Sequence, residues 1–231
     1  MFENLGQKLA ELKMYGATKL TSVKNASWRT EVYNSCLNEI GEKNYGENLP
    51  GNLVYLNKAL ILDTLRPALV KFSRDELGKQ VNPEDIYNVC RLVRPGQISE
   101  GYRGHFDSHL FTLVTPINIP NFGEVQNGGQ LHYFPKARRH PKNEVENVFG
   151  KAKFKKFNSA SGFETLAQKT QRNCENFVDY CPLLFLGNTT FHGNAPVEVS
   201  STQNRMTILT HFFDPSPKYG VGKMLRILRR R

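Results

Sequence analysis

The chain has 231 residues and a net charge of +10, and 39% of its residues are hydrophobic, including 15 Phe and 9 Tyr. This length suits one well-buried domain, and the composition excludes a disordered or low-complexity chain. No apolar run approaches the ~20 residues of a membrane helix, and the N-terminal segment lacks the apolar core of a signal peptide, so we expect no membrane span. The four cysteines lack the spacing of a zinc site or a disulfide framework, which favours a reduced, cytoplasmic protein.

The first 85 residues are predicted to be mainly helical, because apolar residues recur there at helical spacing. These residues are Leu5, Leu9 and Leu12 in one segment and Trp28, Val32, Cys36 and Ile40 in the next. A third candidate helix runs from Leu56 to Phe72 and contains Pro67, which should kink or split it. We therefore expect residues 1–85 to form a helical support.

From about residue 86 the sequence changes to short β-branched and aromatic segments separated by Gly, Pro and Asn. The predicted strands are Tyr87–Val93, Phe111–Ile119, Gln130–Phe134, Leu183–Leu186 and Met206–Phe213. Short strands with turn signals are typical of an all-β sandwich or barrel. We expect a single domain over residues 1–231, with a barrel at 86–214, a partly helical basic insertion at 136–172 and a basic tail at 215–231.

Two segments carry the excess positive charge. Residues 136–172 contain ten basic and three acidic residues, and residues 218–231 contain six basic and no acidic residues. Such segments attract nucleic acids, anionic lipids or acidic substrates, although a solvated loop and tail have the same composition. Phe149, Phe154 and Phe157 interleave with the basic residues, so base stacking and a nucleic-acid partner form an alternative that we do not favour.

A His-x-Asp motif gives the first chemical signal. His105 and Asp107 are two residues apart, and residues at that spacing face the same side of a strand. The motif alone is weak, because polar pairs of this kind are common on protein surfaces. A second histidine, His192, follows the predicted strand Leu183–Leu186. Two histidines and one carboxylate form the facial triad of non-haem Fe(II) oxygenases.

An arginine completes this pattern. Arg205 lies thirteen residues beyond His192, and Thr207 follows on the same face of the last predicted strand. The planar guanidinium is suited to clamp a carboxylate. Such an anchor serves a dicarboxylate that chelates iron at its other end, and 2-oxoglutarate is a molecule of this kind.

Longer motifs surround these residues in a characteristic order over residues 88–214. They are Arg94-Pro95-Gly96 with Gly101-Tyr102-Arg103-Gly104-His105-Phe106-Asp107, then Gly128-Gly129-Gln130-Leu131-His132-Tyr133-Phe134-Pro135, and finally Leu184-Phe185 with the segment Arg205–Asp214. In these motifs the chain resembles the Fe(II)/2-oxoglutarate-dependent dioxygenases. It is most similar to the prolyl-4-hydroxylase branch, which includes the oxygen-sensing prolyl hydroxylases.

The resemblance implies a mainly β (α+β) fold, a double-stranded β-helix or jelly roll with the N-terminal helices packed on one face. It implies that His105, Asp107 and His192 bind Fe(II), and its register favours His105 over the nearby His109. It further implies that Arg205 pairs with the distal carboxylate of 2-oxoglutarate. The other implied cosubstrate contacts are Thr207, Tyr102, Thr115 and Leu131, of which Thr115 departs from the usual tyrosine.

Two further departures concern the substrate. Arg94 and His211 stand where the related enzymes have aromatic residues, so we expect a more polar pocket and a polar or anionic substrate. Arg103 and Asn194 flank the predicted ligands and are also assigned to the substrate. His132 is expected to point away from the face of Leu131.

The implied reaction is hydroxylation of an unactivated C–H bond of a peptidyl, prolyl-like or small polar substrate. It consumes O2 and 2-oxoglutarate and releases succinate and CO2, with ascorbate as a supporting reductant. Two alternatives remain: the same chemistry on a nucleic acid, and a jelly-roll metal-binding protein without oxygenase activity. The sequence leaves the oligomeric state open.

Overall fold

The computed structural model describes residues 2–120 and 129–215. The helices are α1 Leu5–Tyr15, α2 Trp28–Ile40, α3 Pro50–Lys58, α4 Arg66–Leu77, α5 Glu144–Phe154 and α6 Ala160–Ala167. The strands are β1 Ala17–Lys19, β2 Tyr45–Glu47, β3 Ile86–Val93, β4 Phe111–Asn118, β5 Leu131–Phe134, β6 Asn173–Glu175, β7 Leu183–Leu186, β8 Phe191–Asn194 and β9 Arg205–Phe212. Gly128 and, beyond Pro215, the predicted basic tail lie outside the described residues.

Two antiparallel sheets form the jelly roll. The large sheet has the strand order β1-β7-β4-β9-β3-β2, and the small sheet has the order β6-β5-β8. Val114 and Phe185 of the large sheet pack against Leu131 of the small sheet in one apolar cluster between them. The predicted α+β fold class is therefore confirmed.

The N-terminal helices cover the outer face of the large sheet. Their apolar residues, among them Leu12, Val32 and Leu69, share one core with Ile208 and Phe212 of β9. The predicted third helix is split, as expected: α3 ends at Lys58, a π-helical turn spans Ile61–Leu65, and Pro67 lies in the first turn of α4. A proline is tolerated there because the first turn has no partner for its missing N–H.

The side chains of β9 alternate between two environments, as the pleat of a strand requires. Met206, Ile208 and Phe212 belong to the core under the helices. Arg205, Thr207 and His211 therefore point to the other side, into the space between the two sheets. This alternation places the functional residues of β9 in the barrel interior.

The basic insertion folds against the outer face of the small sheet. Asn143 caps α5 by accepting a hydrogen bond from the Glu146 N–H, and Ser159 caps α6 in the same way. Behind the helices, an aromatic cluster joins the insertion to the sheet; it contains Phe106, Phe134, Phe157, Phe163 and Phe191. A bilayer-spanning helix is absent from the described residues, where the longest helix, α2, has 13 residues against the ~20 required.

Candidate metal centre

Three residues distant in sequence meet at one point of the barrel. His105, Asp107 and His192 each offer one ligand atom, and these atoms lie within 4.8 Å of one another. His105 Nε2 is 3.5 Å from Asp107 Oδ1, and His192 Nε2 is 3.7 Å from Asp107 Oδ2. His109, the alternative ligand, is not part of this group.

Backbone pairing brings the two histidines together. The N–H groups of His105 and His192 each donate to the other residue's carbonyl at 3.0 Å, which joins the His105 segment to β8. Gly104 makes this approach tight, since a Cβ at that position would lie 2.2 Å from the ring of Phe191. A side chain at residue 104 would therefore push the His105 segment away from β8.

Hydrogen bonds orient both imidazoles toward the centre. The Nδ1 of His105 lies 2.9 Å from the Arg103 carbonyl, and the Nδ1 of His192 lies 3.1 Å from the Thr190 carbonyl. Because a carbonyl can only accept, each Nδ1 carries the proton and each Nε2 keeps its lone pair. This is the arrangement found around metal-binding histidines.

The protonation states also suit a cation. Burial raises the pKa of Asp107, but the imidazoles of His192, His211 and His105 outweigh it and hold this pKa well below its usual range. Burial lowers the pKa of His192 to about 4. The carboxylate is thus ionised and His192 is neutral at neutral pH, as metal ligands must be. Two imidazoles and one carboxylate fit Fe(II) and leave further coordination positions open.

Phe106, the residue between the ligands His105 and Asp107, is fixed by aromatic and cation–π contacts. Phe106 is buried in the cluster behind the small sheet, and the guanidinium of Arg138 lies 4.0 Å from its ring centroid. Arg138 is itself held by the Asn188 carbonyl and by the side chain of Asn147 on α5. The insertion therefore anchors the strand segment that presents His105 and Asp107.

A buried cation, Arg205, shares the interior face of β9 with His211, whose Nδ1 lies 3.7 Å from Asp107 Oδ2. Arg205 is only 1% exposed, and its guanidinium lies 5.7 Å from the ring centroid of Phe177. Burial, with a smaller effect from Arg91, lowers the pKa of Arg205 to about 9. Within the described residues, no carboxylate pairs with this guanidinium and its Nη1 has no hydrogen-bond partner. A buried charge is costly unless it is paired, so the pocket is suited to an anion.

Three of the other predicted residues line the interior with Arg205. Thr207 shares its face on β9, and Leu131 and Asn194 are direct partners across β5 and β8. All three are buried. The Thr207 hydroxyl and the Asn194 Oδ1 have no hydrogen-bond partner among the described residues, so both are free to contact a ligand.

Thr115 corrects one of the predictions. It pairs with Ile208 on the helix-facing side of the large sheet, and its hydroxyl shares a 2.6 Å hydrogen bond with the hydroxyl of Tyr55 on α3. The expectation that Thr115 contacts 2-oxoglutarate is therefore wrong, because its side chain lies on the opposite face from Arg205.

Tyr102 corrects another. Its ring stacks on His132 at 5.8 Å and packs edge-on against Phe163 at 5.4 Å, on the outer face of the small sheet. His132 alternates with Leu131 along β5 and so points away from it, as predicted. Tyr102 thus lies on the wrong side of the sheet for the predicted cosubstrate contact.

Of the two arginines predicted to contact the substrate, Arg94 lies away from the metal centre, whereas Arg103 lies beside it. Arg94 is wrong as a pocket residue, because its guanidinium donates to the carbonyls of Gly41, Glu42 and Lys43 after α2. Arg103 pairs with Glu100 at 3.0 Å beside the exposed edge of His105.

His211 lies close to the metal centre. Its Nδ1 is 3.7 Å from Asp107 Oδ2, and its ring stacks on those of Tyr87 and His109. Sequence reasoning missed a further interior residue, Arg91, which faces Thr207 across β3 and β9. Its signal was a charge at an inward position of a strand whose other residues are mostly apolar.

Comparisons with protein-family models and with curated protein sequences gave no match. Solved structures do match. A prolyl-4-hydroxylase from Pseudomonas putida has a TM-score of 0.55 and 18% identity, over 90% of this chain and 98% of that one. A prolyl hydroxylase from Trichoplax adhaerens, in complex with a hypoxia-inducible-factor peptide, has a TM-score of 0.54 and 16% identity, over 90% and 88%.

A third similar structure has a different reaction in its name. The non-haem α-ketoglutarate-dependent carbocyclase SnoK of nogalamycin biosynthesis has a TM-score of 0.55 and 11% identity, over 95% of this chain and 90% of that one. At these identities the likeness establishes architecture. The chain therefore has the jelly-roll fold of the prolyl-4-hydroxylases and other non-haem 2-oxoglutarate-dependent oxygenases.

Proposed function

We propose that the protein is an Fe(II)- and 2-oxoglutarate-dependent oxygenase that hydroxylates an unactivated C–H bond of a peptidyl or small polar substrate, releasing succinate and CO2. The observation that carries this proposal is the buried guanidinium of Arg205, which has no carboxylate partner among the described residues and faces the barrel interior, where the His-Asp-His cluster also lies. A metal-binding barrel without oxygenase activity has no need of an anion anchor there.

In this proposal His105 and His192 bind Fe(II) through Nε2, and Asp107 binds it through a carboxylate oxygen. The bound iron supplies the activation of O2 that amino-acid side chains cannot provide. The carbonyls of Arg103 and Thr190 keep the imidazoles in their donor tautomer, and the Thr112 hydroxyl donates to Asp107 Oδ2 at 2.5 Å. These contacts hold the ligand atoms in place before the metal arrives.

Arg205 binds the distal carboxylate of 2-oxoglutarate. Its guanidinium is desolvated, so a bidentate pair with a carboxylate gains more there than it would in water. The Thr207 hydroxyl adds a hydrogen bond from the same strand face, and Leu131 covers the methylene carbons from the opposite sheet. Together these residues exclude water from the cosubstrate and fix its orientation.

The substrate enters beside His105 in this proposal. That side chain is 52% exposed, whereas the side chains of Asp107 and His192 are each 9% exposed, so the centre is accessible from one side. A peptide, as in the Trichoplax complex, or a small polar molecule would approach there. Ascorbate would act only as a supporting reductant.

A nucleic-acid substrate is the second candidate, and one surface feature favours it. Phe149 on α5 is 66% exposed and lines a groove with Arg139 and Lys153. Exposed aromatic rings among cations bind single-stranded nucleic acids by stacking and charge. Salt-dependent binding of oligonucleotides that is lost in Phe149→Ala would support this candidate, and a lack of binding at low salt would remove it.

The proposed function is tested without knowledge of the substrate. We expect the anaerobic protein with Fe(II) and 2-oxoglutarate to develop a visible charge-transfer band, and to release succinate slowly once O2 is admitted. Loss of a residue that only hydrogen-bonds a metal ligand costs up to roughly 100-fold in metal affinity or activity. His192→Ala removes a ligand itself, so we expect it to reduce both signals by more than this.

The matched control is Arg74→Gln, which changes an exposed arginine of α4 that pairs with Asp75. It should behave like the parent protein, and circular dichroism should show that both variants are folded. Undiminished band and succinate in His192→Ala would contradict the ligand assignment.

A further inference from the structure

A second arginine faces the interior of the barrel. Arg91 of β3 is the direct partner of Thr207 on β9, and Val93 is the partner of Arg205. Direct partners in an antiparallel pair share a face, so Arg91 and Arg205 point into the same space. The charge of Arg91 also contributes to the lowered pKa of Arg205. Arg91 thus lies on the interior side of the large sheet together with the buried cation.

One carboxylate is shared by two arginines at this position. Glu100 Oε2 accepts a 2.8 Å hydrogen bond from Tyr45 and lies 3.5 Å from Arg91 Nη2. Its other oxygen, Oε1, accepts from Arg103 at 3.0 Å. The cluster of Arg91, Glu100 and Arg103, which we call the rim cluster, therefore has one excess positive charge.

Arg91 has hydrogen-bonding capacity that its protein neighbours do not use. The residue is 8% exposed, and its Nε has no partner in the described part of the chain. Its Nη2 makes long contacts, at 3.3 Å with the Glu100 carbonyl and at 3.5 Å with the carboxylate. A buried donor of a charged group without a partner is costly, which points to a ligand that supplies the acceptor.

The rim cluster borders the accessible edge of the metal centre. The carbonyl of Arg103 accepts a hydrogen bond from the Nδ1–H of His105. Glu100 ends the 3-10 turn that precedes Arg103 and His105 in the chain. In the proposed complex, Fe(II), Asp107, Arg205 and doubly charged 2-oxoglutarate have no net charge. The excess charge of the rim cluster is then neutralised by a substrate with one negative group.

We propose that Arg91, positioned by Glu100, determines specificity by binding a carboxylate of the primary substrate, which is therefore a small carboxylic acid with one net negative charge. This inference rests on the proposed function. Arg205 serves the cosubstrate, whereas Arg91 and the rim cluster serve the molecule that enters beside His105.

The first arm of the test compares matched carboxylates and amides. The probes are small carboxylic acids with one net negative charge, namely 2-hydroxy acids and N-acetyl-L-amino acids, and the corresponding amides. Each is added to the protein with Fe(II) and 2-oxoglutarate, and we measure stimulated succinate release in air and the change of the visible band without O2. We expect the free acids to give responses and their amides to bind on the order of 10- to 100-fold more weakly. Equal responses from acids and amides, or no response from any acid, would overturn the proposal.

The second arm uses variants of Arg91. For a responding acid, Arg91→Gln should raise KM on the order of 10- to 100-fold and change the Kd of 2-oxoglutarate far less. Arg91→Lys retains the charge and should recover part of the loss. Arg74→Gln is the control. A larger effect of Arg91→Gln on 2-oxoglutarate than on the acid would assign Arg91 to the cosubstrate and overturn the inference.

The two proposals fail in different ways. If the parent protein forms no visible band and releases no succinate with Fe(II) and 2-oxoglutarate, the proposed function is wrong. If it gives both signals but does not distinguish acids from amides, only the role of Arg91 is wrong. Should Arg91→Gln not fold, the acid and amide panel with the parent protein still decides.

Discussion

The two faces of strand β9 meet opposite requirements. On the helix-facing side, Ile208 and Phe212 are buried in an apolar core that they share with the N-terminal helices. On the interior side, Arg205 is equally buried and has no ion-pair partner among the described residues. The helix-facing side therefore stabilises the fold. The interior side lowers stability, because its buried charge is unpaired until an anion binds.

Both environments are formed by one strand of eight residues because the strand is pleated. Because successive side chains point to opposite faces, an apolar and a charged environment lie within one residue of each other. A helix-facing substitution on β9 or its neighbours should therefore lower stability and leave ligand binding unchanged, whereas an interior substitution should weaken ligand binding without lowering stability. Three variants test this division.

The largest effect on stability is expected for Ile208→Ala. Removing this buried side chain leaves a cavity under the helices, and the free energy of unfolding should fall by about 2–5 kcal/mol. Ile208→Val, the matched control, should cost about 0.5–1.5 kcal/mol. Denaturant titration measures both. The folded Ile208→Ala protein should bind 2-oxoglutarate normally, and weakened binding without a loss of stability would break the division.

Arg205→Met should act in the opposite direction. Replacing an unpaired buried charge with an apolar side chain of similar length should raise the free energy of unfolding of the metal-free protein by about 1–4 kcal/mol. The variant should also lose the visible band with Fe(II) and 2-oxoglutarate. Thermal unfolding and absorbance check the two effects. If Arg205→Met were less stable than the parent protein, Arg205 would already have a partner within the protein, and it would not be available to bind an anion.

Sequence periodicity predicted much of this architecture. β7 spans Leu183–Leu186, the predicted range, and the apolar positions of α1 and α2 form the helical core. The strands β1, β2 and β6 were missed because each has three residues, too few to show a period of two. The strand β8 was missed for another reason, since its four residues Phe191–Asn194 include a glycine and an asparagine, which are uncommon in strands.

The site residues that were misplaced share a geometric cause. The resemblance assigned Tyr102 to the cosubstrate by its place in the motif, but its φ of 52° lies in the left-handed region, and its ring lies on the outer face of the small sheet. Arg94 follows the last residue of β3, Val93, so the strand alternation does not extend to it. The motifs predicted which residues converge on the metal centre, whereas the direction of a side chain depends on the local backbone.

Thr115→Val should have the smallest effect, and it tests the corrected position of this residue. The change removes the hydrogen bond to the buried Tyr55 hydroxyl on the helix-facing side, so the free energy of unfolding should fall by about 1 kcal/mol. Tyr55→Phe removes the other hydroxyl of the same hydrogen bond. Each single variant leaves one buried hydroxyl without this partner, whereas the double variant leaves none, so the double variant should cost less than the sum of the single changes. The affinity for 2-oxoglutarate should not change in any of the three. If Thr115→Val weakened cosubstrate binding while unfolding stayed the same, Thr115 would belong to the interior face and the parity of β4 relative to β9 would be wrong.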